Sequence, residues 1–176
     1  IYADFVQRIC LLGGESSGKS TLVLALADAL ETVAVPEYGR ECWEAKHGEL
    51  AYDDLLHIAR TQTSREQSAR PNRFLVCDTS PLTTLFYSQE IFGKADPKLE
   101  QLAEHHYHVT VLCSPDFPFV QDGTRSGEDF RHQQHLWYQA ELTKRKIPFL
   151  LATGSVMQRV SQVVAHLKNS LTEDTD

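Results

Sequence analysis

From Gly13 to Ser20 the chain reads Gly-Gly-Glu-Ser-Ser-Gly-Lys-Ser, an eight-residue match to the pattern GxxxxGK[ST]. Residues of these types at this spacing hold polyphosphate. Glycines let the backbone turn tightly and aim its N–H groups inward, and these form an anion nest at the positive end of a following helix. The lysine adds a cation for the outer phosphates, and the last hydroxyl suits magnesium. Gly14, Glu15, Ser16, Ser17, Gly18, Lys19, Ser20 and Thr21 are therefore the candidate contacts to ATP, and Ser20 is a candidate ligand for Mg2+.

Three further stretches could act on what this loop holds. Asp78 ends "RFLVCD", where an aspartate after a buried strand can reach the magnesium that Ser20 holds. The alternative for that turn is a helix N-cap, a role for which Thr79 and Ser80 are the better suited. "PEYGRECW" supplies Glu37 as base or orienting group for an acceptor hydroxyl, with Tyr38 and Trp43 as flat surfaces for a ring. Arg40 could grip a phosphate or carboxamide oxygen; equally, Glu37 and Arg40 could form an ion pair and the aromatics could pack in the core. "DFPFVQDGTRSGEDFR", residues 116–131, has the length of a lid, from which Arg125 could swing onto a transferring phosphoryl group. Otherwise its arginines pair with Asp122, Glu128 or Asp129 on the surface.

Strands and helices in alternation must position these residues. The runs Phe5 to Leu12, Thr32 to Val35, Phe74 to Cys77, Val109 to Cys113 and Pro148 to Ala152 read as five strands. Helices are expected from Ser20 to Leu30, in two polar pieces broken near Gly48, from Pro81 to Phe92, and from Ser155 to Leu167. The second polar piece presents Leu55, Leu56 and Ile58 and then fades into a solvated face. Strands nearly continuous in Val, Ile, Leu and Cys imply a parallel sheet covered on both faces, an α/β three-layer sandwich. Function then gathers at the C-terminal ends of the strands, where Gly13 to Ser20, Glu37 to Arg40 and Asp78 to Ser80 fall. One domain over 1–170 and a frayed tail over 171–176 are expected.

Bulk properties narrow the class. The 176 residues are 41% hydrophobic and 23% charged, which suits a globular chain with its own core. A net charge of −7 argues against a surface that coats nucleic acid. No apolar run approaches the roughly 18 residues of a membrane span, and no signal-peptide pattern opens the chain, so a cytoplasmic location is expected. Cys10, Cys42, Cys77 and Cys113 are widely spaced and read as buried free thiols. The histidines of "EHHYH" and "HQQH" complete no zinc spacing. Ile1 stands where a methionine would begin a protein, which leaves room for an upstream segment and for fusion to, or contact with, a further domain.

A guanine-reading NKxD sequence is absent, and a small kinase fits the combination of loop, acid, acceptor site and lid. "GGESSGKSTL", "EYGRE", "CDTSPLTT" and "DGTRS", in this order, resemble the ribosylnicotinamide kinase domain of bacterial NadR-type proteins, over about Val6 to Val160. The resemblance implies a P-loop fold and transfer of phosphate from Mg-ATP to the ribose 5′-hydroxyl of nicotinamide riboside, giving nicotinamide mononucleotide for NAD salvage. It implies that Lys19 and Ser20 handle ATP and metal, that Glu37 and Asp78 face the hydroxyl and magnesium, and that Arg125 closes over the phosphates. Thr79 falls with the candidate substrate contacts. Pro36 stands where relatives carry an aromatic residue and Ser80 where they carry an acid, so Tyr38 or Trp43 would have to supply the ring's stacking surface. The HxGH signature of the adenylyltransferase domain is absent, and that activity is not expected here. The alternatives are a kinase for another nucleoside or a nucleotide, and an ATP-sensing module without turnover.

Overall fold

The computed structural model describes residues 6–14, 17–116 and 127–173. Its elements run β1 (Gln7–Leu12), α1 (Lys19–Ala29), β2 (Ala34–Val35), α2 (Tyr38–Ala45), α3 (Tyr52–Ser68) and β3 (Phe74–Asp78). They continue α4 (Pro81–Phe92), α5 (Pro97–Leu102), β4 (Val109–Cys113), α6 (Glu128–Lys144), β5 (Leu150–Ala152) and α7 (Val156–Glu173). The five strands are all parallel, in the order β2-β3-β1-β4-β5. From central β1 the chain moves to one side for β2 and β3, then to the other for β4 and β5. The loops leaving the strands therefore part beside β1, where doubly wound sheets bind ligands.

Alternation along the strands builds two cores, one on each face. Ile9 and Leu11 of β1 pack with Val111 of β4, Leu22 and Leu26 of α1, and Val163 and Leu167 of α7. Cys10 and Leu12 turn the other way, against Leu55 of α3, Leu82 and Leu85 of α4, Leu99 of α5, and Tyr138 and Leu142 of α6. A sheet buried on both faces explains why its strands read as unbroken apolar runs. All four cysteines are free and buried, as expected from their settings.

The boundaries differ from expectation where polar side chains intervene. Strand β2 has two residues instead of four, because the Thr32 hydroxyl bonds the Phe74 carbonyl at 2.5 Å and Pro36 has no N–H to extend the ladder. Helix α3 does not fade into solvent: Gln62, Thr63 and Glu66 continue its buried face. Helices α5 and α6 were not expected; α6 buries Gln134, His135 and Tyr138 together, a face with little apolar periodicity. The closing helix runs to Glu173, since neither glycine nor proline interrupts it after Leu167. Among the described residues no helix is long and apolar enough to cross a membrane.

Burial at the sheet centre sets an expectation for stability. Leu11→Ala, at a fully buried position, should lower the unfolding free energy by about 2–5 kcal/mol in urea titration. Leu24→Ala, at a position 70% exposed on α1, should change it by no more than about 0.5 kcal/mol. Equal losses would contradict this packing.

Candidate active site

The turn between β1 and α1 has the form that an anion requires. Gly18 caps α1 with φ 75°, a left-handed conformation that favours glycine, and no side chain caps the helix. The first turn also carries no acid, so its N–H groups and the positive helix end are left for a ligand. An added Cβ at Gly14 would lie 2.9 Å from Gln134 Oε1, the end of a side chain that would have to turn aside. Ser17 stiffens the turn by donating from its hydroxyl to the Gly14 carbonyl at 2.7 Å. Ser20 and Thr21 line the same cleft, whereas Glu15 and Ser16 lie outside the described residues.

Three strand ends converge on Lys19. Its ammonium lies 3.1 Å from Glu37 Oε2 and 3.1 Å from Asp78 Oδ1, and donates to Thr79 Oγ1 at 2.6 Å. Thr79 reaches this position with φ 86°, a strained value for a β-branched residue. Burial alone would push the lysine toward its neutral form, but the carboxylates of Glu37 and Asp78 outweigh it and hold its pKa well above the ordinary value. Asp78 is shifted upward, chiefly by burial, against the pull of Lys19 and with the help of the Glu37 charge. The Glu37 side chain is 26% exposed against 8% for Asp78, so Glu37 is the more accessible of the two acids. Ser80, not Asp78, caps α4, accepting from the Leu82 N–H at 3.2 Å.

Beyond this clasp opens a cleft of about 550 Å³, shared by the glycine-rich turn and a second, more apolar wall. Trp43, Ile91, Tyr87 and Phe130 line that wall, with Trp43 seated over Gly48. Arg40 also lines the cleft, but it is exposed and bonds Glu44 at 3.3 Å, one turn along its own helix. Tyr38 is placed elsewhere: its hydroxyl meets His57 Nε2 at 3.0 Å, and the Arg65 guanidinium lies over its ring at 4.8 Å. It lines a second, shallower hollow on the outer side of α2 and α3. Arg125 falls outside the described residues; Arg131, the other arginine of that stretch, is buried at the start of α6 with its side chain against Gly14.

Several residues that shape the site escaped the sequence reading. Arg159 of α7, fully buried, donates to the carbonyls of Ser17 at 2.8 Å, Gly154 at 2.9 Å and Ser114 at 3.0 Å, and also pairs with Asp116. It ties the glycine-rich turn to the loops after β4 and β5. Tyr138 shares its hydroxyl with Thr83 at 2.6 Å and with Gln134 Nε2 at 3.3 Å, linking α4 to the helix that packs on Gly14. Gln62 bonds the backbone on both sides of Glu37 as well as Asp78. Its signal was present in the sequence: Leu55, Ile58, Ala59, Gln62 and Glu66 share one helical face, and polar residues on an apolar stripe have partners to satisfy.

Comparison with known proteins places the fold in a family. A family model described as "AAA domain" matches residues 8–159. The "Trifunctional NAD biosynthesis/regulator protein NadR" of Escherichia coli (strain K12) is 34% identical over 129 residues, covering 69% of this chain and 32% of that protein. The chain thus spans about a third of the length of the curated relative. Among solved structures, a NadR protein in complex with NR superposes with a TM-score of 0.76 at 23% identity, over 90% of this chain and 51% of that one. Thymidylate kinase from Ehrlichia chaffeensis does so with a TM-score of 0.63 at 14% identity, over 92% and 98%. The resemblance to NadR-type proteins read from four short motifs therefore extends to sequence identity and to the fold. With its phosphate-loop pattern, parallel sheet and family match over most of its length, the chain belongs to the AAA domain family.

Proposed function

We propose that this chain is an ATP-dependent kinase that phosphorylates the 5′-hydroxyl of nicotinamide riboside, giving nicotinamide mononucleotide and ADP. One observation carries the reading: the ammonium of the phosphate loop and two carboxylates meet at the mouth of a cleft whose far wall is apolar and aromatic. The triphosphate lies along the glycine-rich turn, against the N–H groups at the start of α1. As its outer phosphates take up the Lys19 ammonium, Glu37 is released to face the acceptor. The riboside oxygen then forms a bond to the γ-phosphorus, the bond from that phosphorus to the β,γ-bridging oxygen breaks, and the hydroxyl proton passes to Glu37. Ser20 and Asp78 offer the all-oxygen donors that Mg2+ prefers, and the ion would neutralise charge on the phosphates. Arg125 is the proposed lid arginine.

The acceptor wall supports a nucleoside over a nucleotide. Arg40, the residue that would have to grip an acceptor phosphate, is exposed and engaged with Glu44. Trp43, Tyr87 and Phe130 offer ring surfaces for a heteroaromatic base, and they take the stacking role that Tyr38, turned toward His57, does not reach. Thr79 is a proposed contact near the reacting hydroxyl. Because the matches cover only 32% and 51% of the NadR proteins compared, the further activities of those proteins are not carried over.

Incubation with Mg-ATP and nicotinamide riboside should yield nicotinamide mononucleotide, detectable by mass spectrometry, and absence of product at millimolar riboside would refute the assignment. Glu37→Gln should lower kcat by at least about 100-fold, while calorimetry finds ATP affinity within about twofold of wild type. Lys19→Ala and Asp78→Ala should abolish transfer. Near-normal turnover in Glu37→Gln would remove Glu37 from the reaction.

A further inference from the structure

We infer that Gln62 is a positioning residue for phosphoryl transfer: its carboxamide replaces the sheet's missing hydrogen bonds where β2 ends, and so fixes Glu37 against Lys19 and Asp78. The inference rests on the kinase reading for its kinetic consequence, but not for its geometry.

The ladder between β2 and β3 has only two register pairs, Ala34 with Val76 and Val35 with Cys77. The next residue, Pro36, has no N–H, so the backbone cannot extend the pairing to the level of Asp78. Glu37 therefore begins where the sheet stops holding the chain. Gln62, 3% exposed on α3, fills that gap. Its Nε2 donates to the Pro36 carbonyl at 3.1 Å and to the Asp78 carbonyl at 3.3 Å, and its Oε1 accepts from the Tyr38 N–H at 2.8 Å. One side chain thus clamps the peptide groups before and after Glu37 and joins them to the strand that bears Asp78. The partners also settle which end of the amide is which: two carbonyls require the NH₂ group, and one N–H requires the oxygen.

Although Gln62 lines the cleft, both of its N–H donors are already used on backbone carbonyls. It is suited to hold the machinery and not to read a substrate. The carboxylate it positions is the one that meets the acceptor hydroxyl, and a misplacement of about 1 Å at such a group can cost 100-fold in rate. The glycine-rich turn that holds ATP is anchored separately, through Ser17 and Arg159.

Steady-state kinetics and crystallography on the full chain test this. Gln62→Glu keeps the shape and loses both donors; Gln62→Met keeps the bulk and loses every hydrogen bond. Both should lower kcat by about 30-fold or more while KM for ATP stays within about twofold. Glu66→Gln is the control, since Glu66 is buried on the same helix but bonds Tyr107, at 2.7 Å, away from the cleft. It should leave kcat within about twofold. A Gln62→Met crystal structure should show the 3.1 Å contact between Lys19 and Glu37 opened. Wild-type kcat in both Gln62 variants, an equal fall in Glu66→Gln, or an unchanged Lys19–Glu37 contact would overturn the inference. If wild-type protein phosphorylates no riboside, the proposed function falls, and the crystallographic contact still decides the role of Gln62.

Discussion

A buried ammonium between two carboxylates is the constraint around which the described structure is arranged. Removing a lysine from water is costly unless opposite charge and hydrogen bonds replace its hydration, and Lys19 finds Glu37, Asp78 and Thr79. These groups come from the beginning of α1, the end of β2 and the end of β3, which lie far apart in sequence. The order β2-β3-β1 is what sets them side by side. Sheet topology and charge neutralisation are therefore two aspects of one requirement. Two anions sharing one cation also leave an excess of negative charge, and a site in that condition attracts a second cation or gives up a carboxylate to the solvent side. Glu37, the more exposed of the pair, is placed to do the latter.

The cleft divides its labour by wall. On the phosphate side the important groups belong to the backbone, and side chains serve mainly to hold that backbone in place: Ser17 from within the turn and Arg159 from α7. On the wall proposed for the acceptor the important groups are rings and hydrocarbon, drawn from α2, α4 and α6. Helix α6 belongs to both, because Gln134 and Arg131 abut Gly14 while Phe130 faces the acceptor wall.

Much of this was legible in the sequence, for physical reasons that differ by element. A strand buried on both faces writes itself as an apolar run, so β1, β3 and β4 could be read almost to the residue. The glycine-rich turn was legible because few local structures other than an anion nest need that pattern between a strand and a helix. Asp78 and Glu37 followed from their positions at strand ends. What remained hidden were polar residues that serve the backbone. Gln62 is marked only by its place on the apolar stripe of α3, whereas nothing local marks Arg159, whose carbonyl partners are brought near only by the fold, or Tyr138, which joins side chains of two helices. Tyr38 illustrates the converse: adjacent in sequence to Glu37, it projects toward His57 and not into the cleft, because Glu37 is the extended cap of α2 and Tyr38 its first helical residue. Helix α6 was missed because its inner face is built from Gln134, His135 and Tyr138, whose burial is secured by packing against the loop and α4 and not by hydrophobic spacing.

The bond from Arg159 to the Ser17 carbonyl joins positions 142 residues apart. During synthesis the glycine-rich turn is made well before its anchor, so throughout the intervening elongation its backbone lacks the guanidinium that holds it. A break in the chain anywhere between the two would separate the turn from the helix that steadies it.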